Sequence, residues 1–169
     1  MTTFDLRRAR LRPGEEWREE IELELEPIVL GGQRYVPVPE RVPAELRLTR
    51  ASTGTVLELS FTARLHGPCF RCLEDTVLEL PLHAREYQAT SPGESEELQS
   101  PYVEDDRVDL SSWGHDTMVL ALPDKILHDP NCAGLCPVCG RNLNSDPHEH
   151  DETVGDARWS ALEPLREQL

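Results

Sequence analysis

Residues Cys132 to Gly140 read Cys-Ala-Gly-Leu-Cys-Pro-Val-Cys-Gly, so three of the five cysteines in this chain fall within eight positions. The last two form a Cys-Pro-Val-Cys-Gly knuckle, a turn whose amides curl around both sulfurs and whose glycine supplies the positive φ. Cys69 and Cys72 form a second Cys-x-x-Cys pair upstream. Thiolates held in such turns suit a soft or borderline cation, zinc above all.

Tetrahedral zinc takes four ligands, and the five cysteines and six histidines allow two schemes. One Cys₄ site would use Cys69, Cys72, Cys136 and Cys139 and leave Cys132 spare. Two sites would join Cys69 and Cys72 to His128 and Cys132, and Cys136 and Cys139 to His148 and His150. The second scheme uses eight of the eleven residues and leaves out His66, His83 and His115. A Cys-x-x-Cys pair also serves in redox proteins, but neither pair here lies in a βαβ pattern. His148 and His150 stand in an acidic, polar stretch, where histidines are commonly just solvated.

A catalytic zinc keeps one position for water beside a general base. Thiolate-rich knuckles fill the coordination sphere, and neither a His-Glu-x-x-His nor a His-x-Glu…Pro-Cys-x-x-Cys pattern occurs. The expectation is therefore a structural zinc-binding protein and not an enzyme. The alternatives are a zinc-ribbon module for nucleic acid or a transcription partner and, more remotely, a metalloenzyme.

Charge narrows the partners. The chain carries 32 acidic against 17 basic residues, a formal charge of −15, with Lys125 the only lysine. Such a surface repels a polyanion on average and attracts a basic protein. Arg7, Arg8, Arg10 and Arg12 are the local exception, either a patch able to touch phosphate or a solvated arm. Residues 1–12 lack the apolar run of a signal peptide, and no stretch nears the roughly 18 apolar residues of a membrane span. The compartment expected is the cytoplasm, where clustered cysteines bind metal more readily than they pair as disulfides.

The elements that must position these ligands read mainly as antiparallel β. Ile21, Leu23 and Leu25 alternate with glutamates. Trp17 shares their parity, but Glu19 interrupts the row and allows the strand to begin only after it. Ala44, Leu46 and Leu48, the turn Ser52-Thr53-Gly54, then Leu57 to Leu65 at period two predict a hairpin. Gly67-Pro68 ends that run, and Thr76 to Tyr87 returns as a strand with Leu78, Leu80 and Leu82 on one face. Pro81 within it suggests an edge or a bulge. Cys69 and Cys72 would then sit at the tip between two strands.

Ser91 to Asp106 holds six acidic and no basic residues and reads as a surface loop. Val108 to Ser112 offers an N-cap for a short helix ending near Leu122, weakened by Gly114. Residues 156–169 predict a terminal helix with Trp159, Leu162 and Leu165 on one face and Pro164 to shorten it. The fold class expected is thus α+β, mainly antiparallel β, with zinc knuckles and one or two short helices towards the C-terminus. A β-rich domain over 1–127 would carry the first pair, and a Cys/His-rich tail over 128–169 the rest.

Three segments resemble the YceD family. They are Cys69-Phe70-Arg71-Cys72-Leu73-Glu74, the block from Leu120-Ala121-Leu122-Pro123 through Cys132–Gly140 to Asn142-Leu143-Asn144, and Asp156-Ala157-Arg158-Trp159-Ser160-Ala161-Leu162. Ala157 stands where the family pattern has proline. The resemblance implies that Cys69, Cys72, His128 and Cys132 form a unit able to stand alone, because some members lack the later knuckle. It puts His148-Glu149-His150 where other members carry a Cys-x-Cys-like pair. The implied role is a factor in large ribosomal subunit assembly, tied to accumulation of its rRNA. Its partner would be a large-subunit protein or pre-ribosomal particle, with no membrane and no small-molecule substrate.

Overall fold

Alternation of leucines over two long strands builds the centre of the molecule. A computed structural model describes residues 1–91 and 98–150. Its strands are β1 (Thr3–Asp5), β2 (Glu16–Glu24), β3 (Ile28–Leu30), β4 (Gln33–Pro37), β5 (Arg41–Arg50), β6 (Gly54–Pro68), β7 (Asp75–Ala89), β8 (Val103–Glu104) and β9 (Arg107–Asp109), with one helix, α1 (Leu110–Leu120). The main sheet runs β2-β5-β6-β7, entirely antiparallel, with Leu46 opposite Leu59, Leu48 opposite Leu57 and Leu65 opposite Leu78. Beyond the reach of β5, β6 pairs with β4 instead, at Leu65 and His66. The fold class is α+β and mainly antiparallel β, as the period-two rows predict.

One face of the sheet is buried. Leu46, Leu48, Leu57, Leu59 and Leu65 are almost fully enclosed, each contributing about 1.5–3 kcal/mol of transfer free energy. Trp113 and Met118 of α1, together with Phe4 and Ala9 of the N-terminal segment, belong to the same core. Asp109 caps α1 by accepting a bond from the Ser112 amide at 3.1 Å. Gly114, unfavourable for a helix in isolation, has a packing reason here: a Cβ at that position would lie 2.8 Å from Leu23 Cδ2. The glycine lets α1 settle onto β2.

The structure departs from the sequence reading in four places. Strand β2 starts at Glu16, ahead of Glu19. Glu19 is accommodated on the apolar side because Trp17 Nε1 donates to it at 3.3 Å and Arg8 reaches it at 3.4 Å. Strands β3 and β4 form a hairpin absent from the reading, although Gly31-Gly32, both at positive φ, is a strong two-residue turn signal. Within Ser91 to Asp106, Val103–Glu104 is not loop but strand β8, paired with β9. The N-terminal segment is no loose arm: β1 pairs with β9 and a 3₁₀ turn follows at Leu6–Arg8. The terminal helix expected over 156–169 lies outside the described residues, as do Glu94, Glu96 and Glu97 of the acidic stretch.

Candidate metal centres

Strands β6 and β7 pair along their whole length, from Gly54 opposite Ala89 to Pro68 opposite Asp75, so the turn between them projects from the sheet as a rigid tip. Cys69 and Cys72 occupy it. The Leu73 amide donates to the Cys69 carbonyl at 3.0 Å, and the Cys69 amide donates to the Glu74 carbonyl at 2.7 Å. Leu73 stands at φ 62, in the left-handed region that closes the turn. The second knuckle repeats this design. The Gly140 amide donates to the Cys136 carbonyl at 2.8 Å, with Gly140 at φ 73 and the Cys136 amide bonded to the Arg141 carbonyl at 2.7 Å.

Two groups of four donor atoms converge, each within 4.8 Å of one another: Cys69, Cys72, His128 and Cys132, and Cys136, Cys139, His148 and His150. The two Cys-x-x-Cys pairs do not meet in one group, so the single Cys₄ scheme does not describe this fold. In the first group the sulfurs of Cys69 and Cys132 stand 3.9 Å apart, and Cys72 Sγ lies 3.2 Å from His128 Nδ1. Two thiolates at about 2.3 Å from a tetrahedral ion are about 3.8 Å apart, so the spacing fits zinc. In the second group Cys139 Sγ lies 3.1 Å from His148 Nε2. His148 Nδ1 is 2.7 Å from the Asp146 carbonyl. With its Nδ1 proton donated there, the ring presents the Nε2 lone pair to the sulfurs.

His66, His83 and His115 join neither group. His66 is exposed on β6, His83 on β7 bonds Ser60 Oγ at 2.9 Å, and His115 lies 3.3 Å from Asp116.

The electrostatics of the first group suit a cation. Burial is the largest influence on Cys69 and works against ionisation. The amides of Cys72, His128 and Arg71 and the His128 ring together outweigh it and bring the thiol down to about 6. Burial, reinforced by the neighbouring sulfurs, pushes Cys72 up to about 12. One thiolate therefore forms readily and suppresses ionisation of the next, and a divalent ion would remove that conflict. His128 is raised above the ordinary histidine value, first by its bond to Cys69. In the second group the Cys139 amide leads the effects that bring Cys136 down to about 6. His148 is raised, chiefly by the Asp146 carbonyl.

Polar side chains outside both donor sets tie the segments together. Arg71 Nη1 donates to the Cys132 carbonyl at 2.7 Å, and the Phe70 amide donates to the Ile126 carbonyl at 2.8 Å. Asn142 Nδ2 donates to Glu74 Oε1 at 2.8 Å. Asn144 accepts from the Ala133 amide at 2.8 Å and directs its own Nδ2 at Cys132 Sγ, 3.4 Å away. Gly134, at φ 81, lies so close to Arg71 that a Cβ would sit 3.3 Å from the Arg71 Cβ and carbonyl oxygen. Sequence reasoning assigned these residues no role. Their only signal was the place of Arg71, Glu74, Gly134, Asn142 and Asn144 inside the motif blocks.

The model of the large ribosomal RNA subunit accumulation protein YceD matches residues 57–166. The chain belongs to the YceD family. The matched region begins on β6 and contains all eight converging donors. Among curated proteins the chain is similar to uncharacterised proteins of Mycobacterium tuberculosis and Mycobacterium bovis, 32% identical over 123 residues. That similarity covers 70% of this chain and 58% of each relative. No solved structure matches it.

Proposed function

We propose that this chain is a non-enzymatic, zinc-binding factor that acts in the cytoplasm in assembly of the large ribosomal subunit and supports accumulation of its rRNA. The observation that carries the reading is the family match over residues 57–166, which spans both four-donor groups. Cys69, Cys72, His128 and Cys132 would hold one zinc, and Cys136, Cys139, His148 and His150 a second. Four protein donors in each group fill a tetrahedral sphere and leave no position for a reactive water. Bound zinc would supply charge neutralisation and a cross-link. Strands β6 and β7 aim the first thiols, Arg71 and Asn144 hold Cys132 against them, and His148 is oriented by the Asp146 carbonyl. The first site thereby clips the tail to the sheet, since two of its ligands come from the β6–β7 tip and two from residues 128–132.

The partner consistent with a charge of −15 is a basic large-subunit protein, free or within a pre-ribosomal particle. Among the described residues no helix is long and apolar enough to cross a membrane, in keeping with a role on the ribosome.

Deletion of the gene, complemented with the wild type or with Cys72→Ser, tests the role. The ratio of large- to small-subunit rRNA is expected to fall on deletion, recover with the wild type and stay low with the variant. An unchanged ratio on deletion overturns the reading. Elemental analysis of the purified chain is expected to find two zincs, falling to one in Cys72→Ser and in Cys139→Ser. The acidic stretch Ser91 to Asp106 would dock to that partner, so a pull-down of a basic large-subunit protein should be lost when Glu94, Glu96, Glu97, Glu104, Asp105 and Asp106 are neutralised.

A further inference from the structure

The arginine cluster of the N-terminus takes no part in the metal groups. The 3₁₀ turn Leu6–Arg8, pinned by the Leu6 amide on the Asp106 carbonyl at 2.8 Å, carries the chain across the end of the sheet. There a cavity of about 530 Å³ opens, with Arg7 and Arg10 on one side and Arg50, Thr55 and Thr90 on the other. Its lining holds three arginines and one acid, Asp106, a local charge of +2 in a chain of −15. Asp106 is already engaged by Arg7 at 3.0 Å. Among the described residues neither Arg10 nor Arg50 has a carboxylate within ion-pair distance.

Arg50 is held by hydroxyls instead. Its Nη1 donates to Thr55 Oγ1 and its Nη2 to Thr90 Oγ1, both at 2.9 Å, and Thr55 is buried. Two of five N–H donors are used, so the guanidinium is oriented yet keeps its full charge and spare donors. Arg10 follows the buried Ala9 and stands at φ 40, a left-handed conformation uncommon for a side chain of this size, which fixes where the arginine leaves the backbone. Leu11, Leu48 and Ala89 give the cavity an apolar floor.

Two positioned, unpaired guanidinium groups over an apolar floor match the phosphodiester oxygens and the sugar or base faces of a nucleic acid strand. Charges more than about 8 Å away are largely screened at physiological salt, so acids beyond that range weaken the groove little. The chain's overall charge of −15 opposes a duplex, which is bulkier and more densely charged than a single strand. We propose that this groove binds the phosphate backbone of single-stranded RNA, through Arg10 and Arg50. The choice of RNA as the polyanion rests on the ribosomal reading above.

The test is fluorescence anisotropy of the full-length, zinc-loaded chain with a labelled single-stranded RNA 12-mer over a salt series. Two phosphate contacts give a slope of log K against log salt of about −1.4, from about 0.7 for each. Arg10→Gln and Arg50→Gln are each expected to reduce the slope by about 0.7 and weaken binding several-fold at low salt. Arg50→Lys keeps the slope, which separates lost charge from a disturbed fold. Arg64→Gln, which removes an arginine paired with Glu79 on the outward face of β6, should bind as the wild type does. RNA binding unaffected by Arg10→Gln and Arg50→Gln overturns the proposal. So does displacement of the RNA by polyglutamate at equal charge concentration, which would mark a site for acidic peptides. Loss of the groove with rRNA still falling on gene deletion leaves the ribosomal role standing through protein contacts. Groove binding with rRNA unaffected by deletion removes that role and leaves the groove.

Discussion

The two donor groups share a knuckle and differ in what surrounds it. In the first, Cys69, Cys72 and Cys132 are all buried, and only His128 is exposed; in the second only Cys136 is buried. The first group joins residues 56 to 63 positions apart and rests on the end of the longest strand pair. The second closes a local loop from Cys136 to His150. With metal bound, the same short motif would do two jobs, set by context: one group would clip distant pieces of chain together, and the other would order its own turn. Loop-closure entropy favours the first as the stabilising element, because the unfolded chain it constrains is much longer.

Breaking each group separately tests that contrast, and the largest effect belongs to the first. Cys72→Ser should release one metal and leave two buried thiols and a histidine without a cation. A stability loss of about 3–5 kcal/mol is expected, read as a fall in Tm of about 10 °C or more in thermal unfolding followed by circular dichroism. A Cys72→Ser protein that melts with the wild type would show that the clip contributes nothing to the fold.

Cys139→Ser should also release one metal, but at less cost. The segment before it stays tied to the β6–β7 tip without the metal, by the Leu135 amide on the Arg71 carbonyl at 3.2 Å and by the Asn142–Glu74 contact, so the main transition should move by under about 1 kcal/mol. A chelator should sharpen the difference, removing one equivalent quickly from the exposed group and the other slowly. Equal release rates at both groups would erase the proposed hierarchy.

How much of this was legible beforehand follows from the range of the forces involved. Period-two rows in β5, β6 and β7 come from local packing against one core, so Leu46, Leu59 and Leu82 announce their face in the sequence. The eight residues that converge were legible as short-spaced pairs: two Cys-x-x-Cys turns, His128 and Cys132 four apart, and His148 and His150 two apart. Glu19 misled because its partners, Arg8 and Trp17, come partly from another segment. Gly114 misled because helix propensity cannot register that Leu23 lies against it. Asn142 and Asn144 carried no signal beyond their place in a motif block, since a side-chain amide bonding across 68 residues, as Asn142 does to Glu74, has no periodicity.

Thiol reactivity of the metal-free chain offers a smaller but more resolved comparison. Cys136, drawn down to about 6 and buried but less completely enclosed than Cys69, should alkylate at neutral pH with a half-maximal rate near pH 6. Cys69 ionises as readily but is fully enclosed, and Cys72, pushed up to about 12, stays a thiol through the same range. For Cys136 the sign is that of a lowered folded value. Its contribution to stability is complete above the ordinary thiol value of 9 and is lost as pH falls through about 6. Mass-spectrometric labelling with iodoacetamide from pH 5 to 9 should therefore modify Cys136 ahead of Cys69. Zinc should suppress both, and faster labelling of Cys69 would contradict the burial contrast.

The smallest effect isolates the backbone. Leu73 and Gly140 hold the same place after their knuckles, at φ 62 and φ 73. A Cβ at Gly140 would meet nothing within 4 Å, so Gly140→Ala adds no clash and reads only the left-handed strain. The cost expected is about 1 kcal/mol, confined to the second group and visible as weaker zinc retention against a competing chelator. Leu73→Gly runs the comparison backwards. Leu73 is 52% exposed, so little packing is lost, and relief of strain is set against the greater entropy of glycine in the unfolded chain. The two effects nearly cancel, and a change of under about 1 kcal/mol is expected. A large loss on Leu73→Gly would mean that the leucine side chain, not the turn, holds the first knuckle closed.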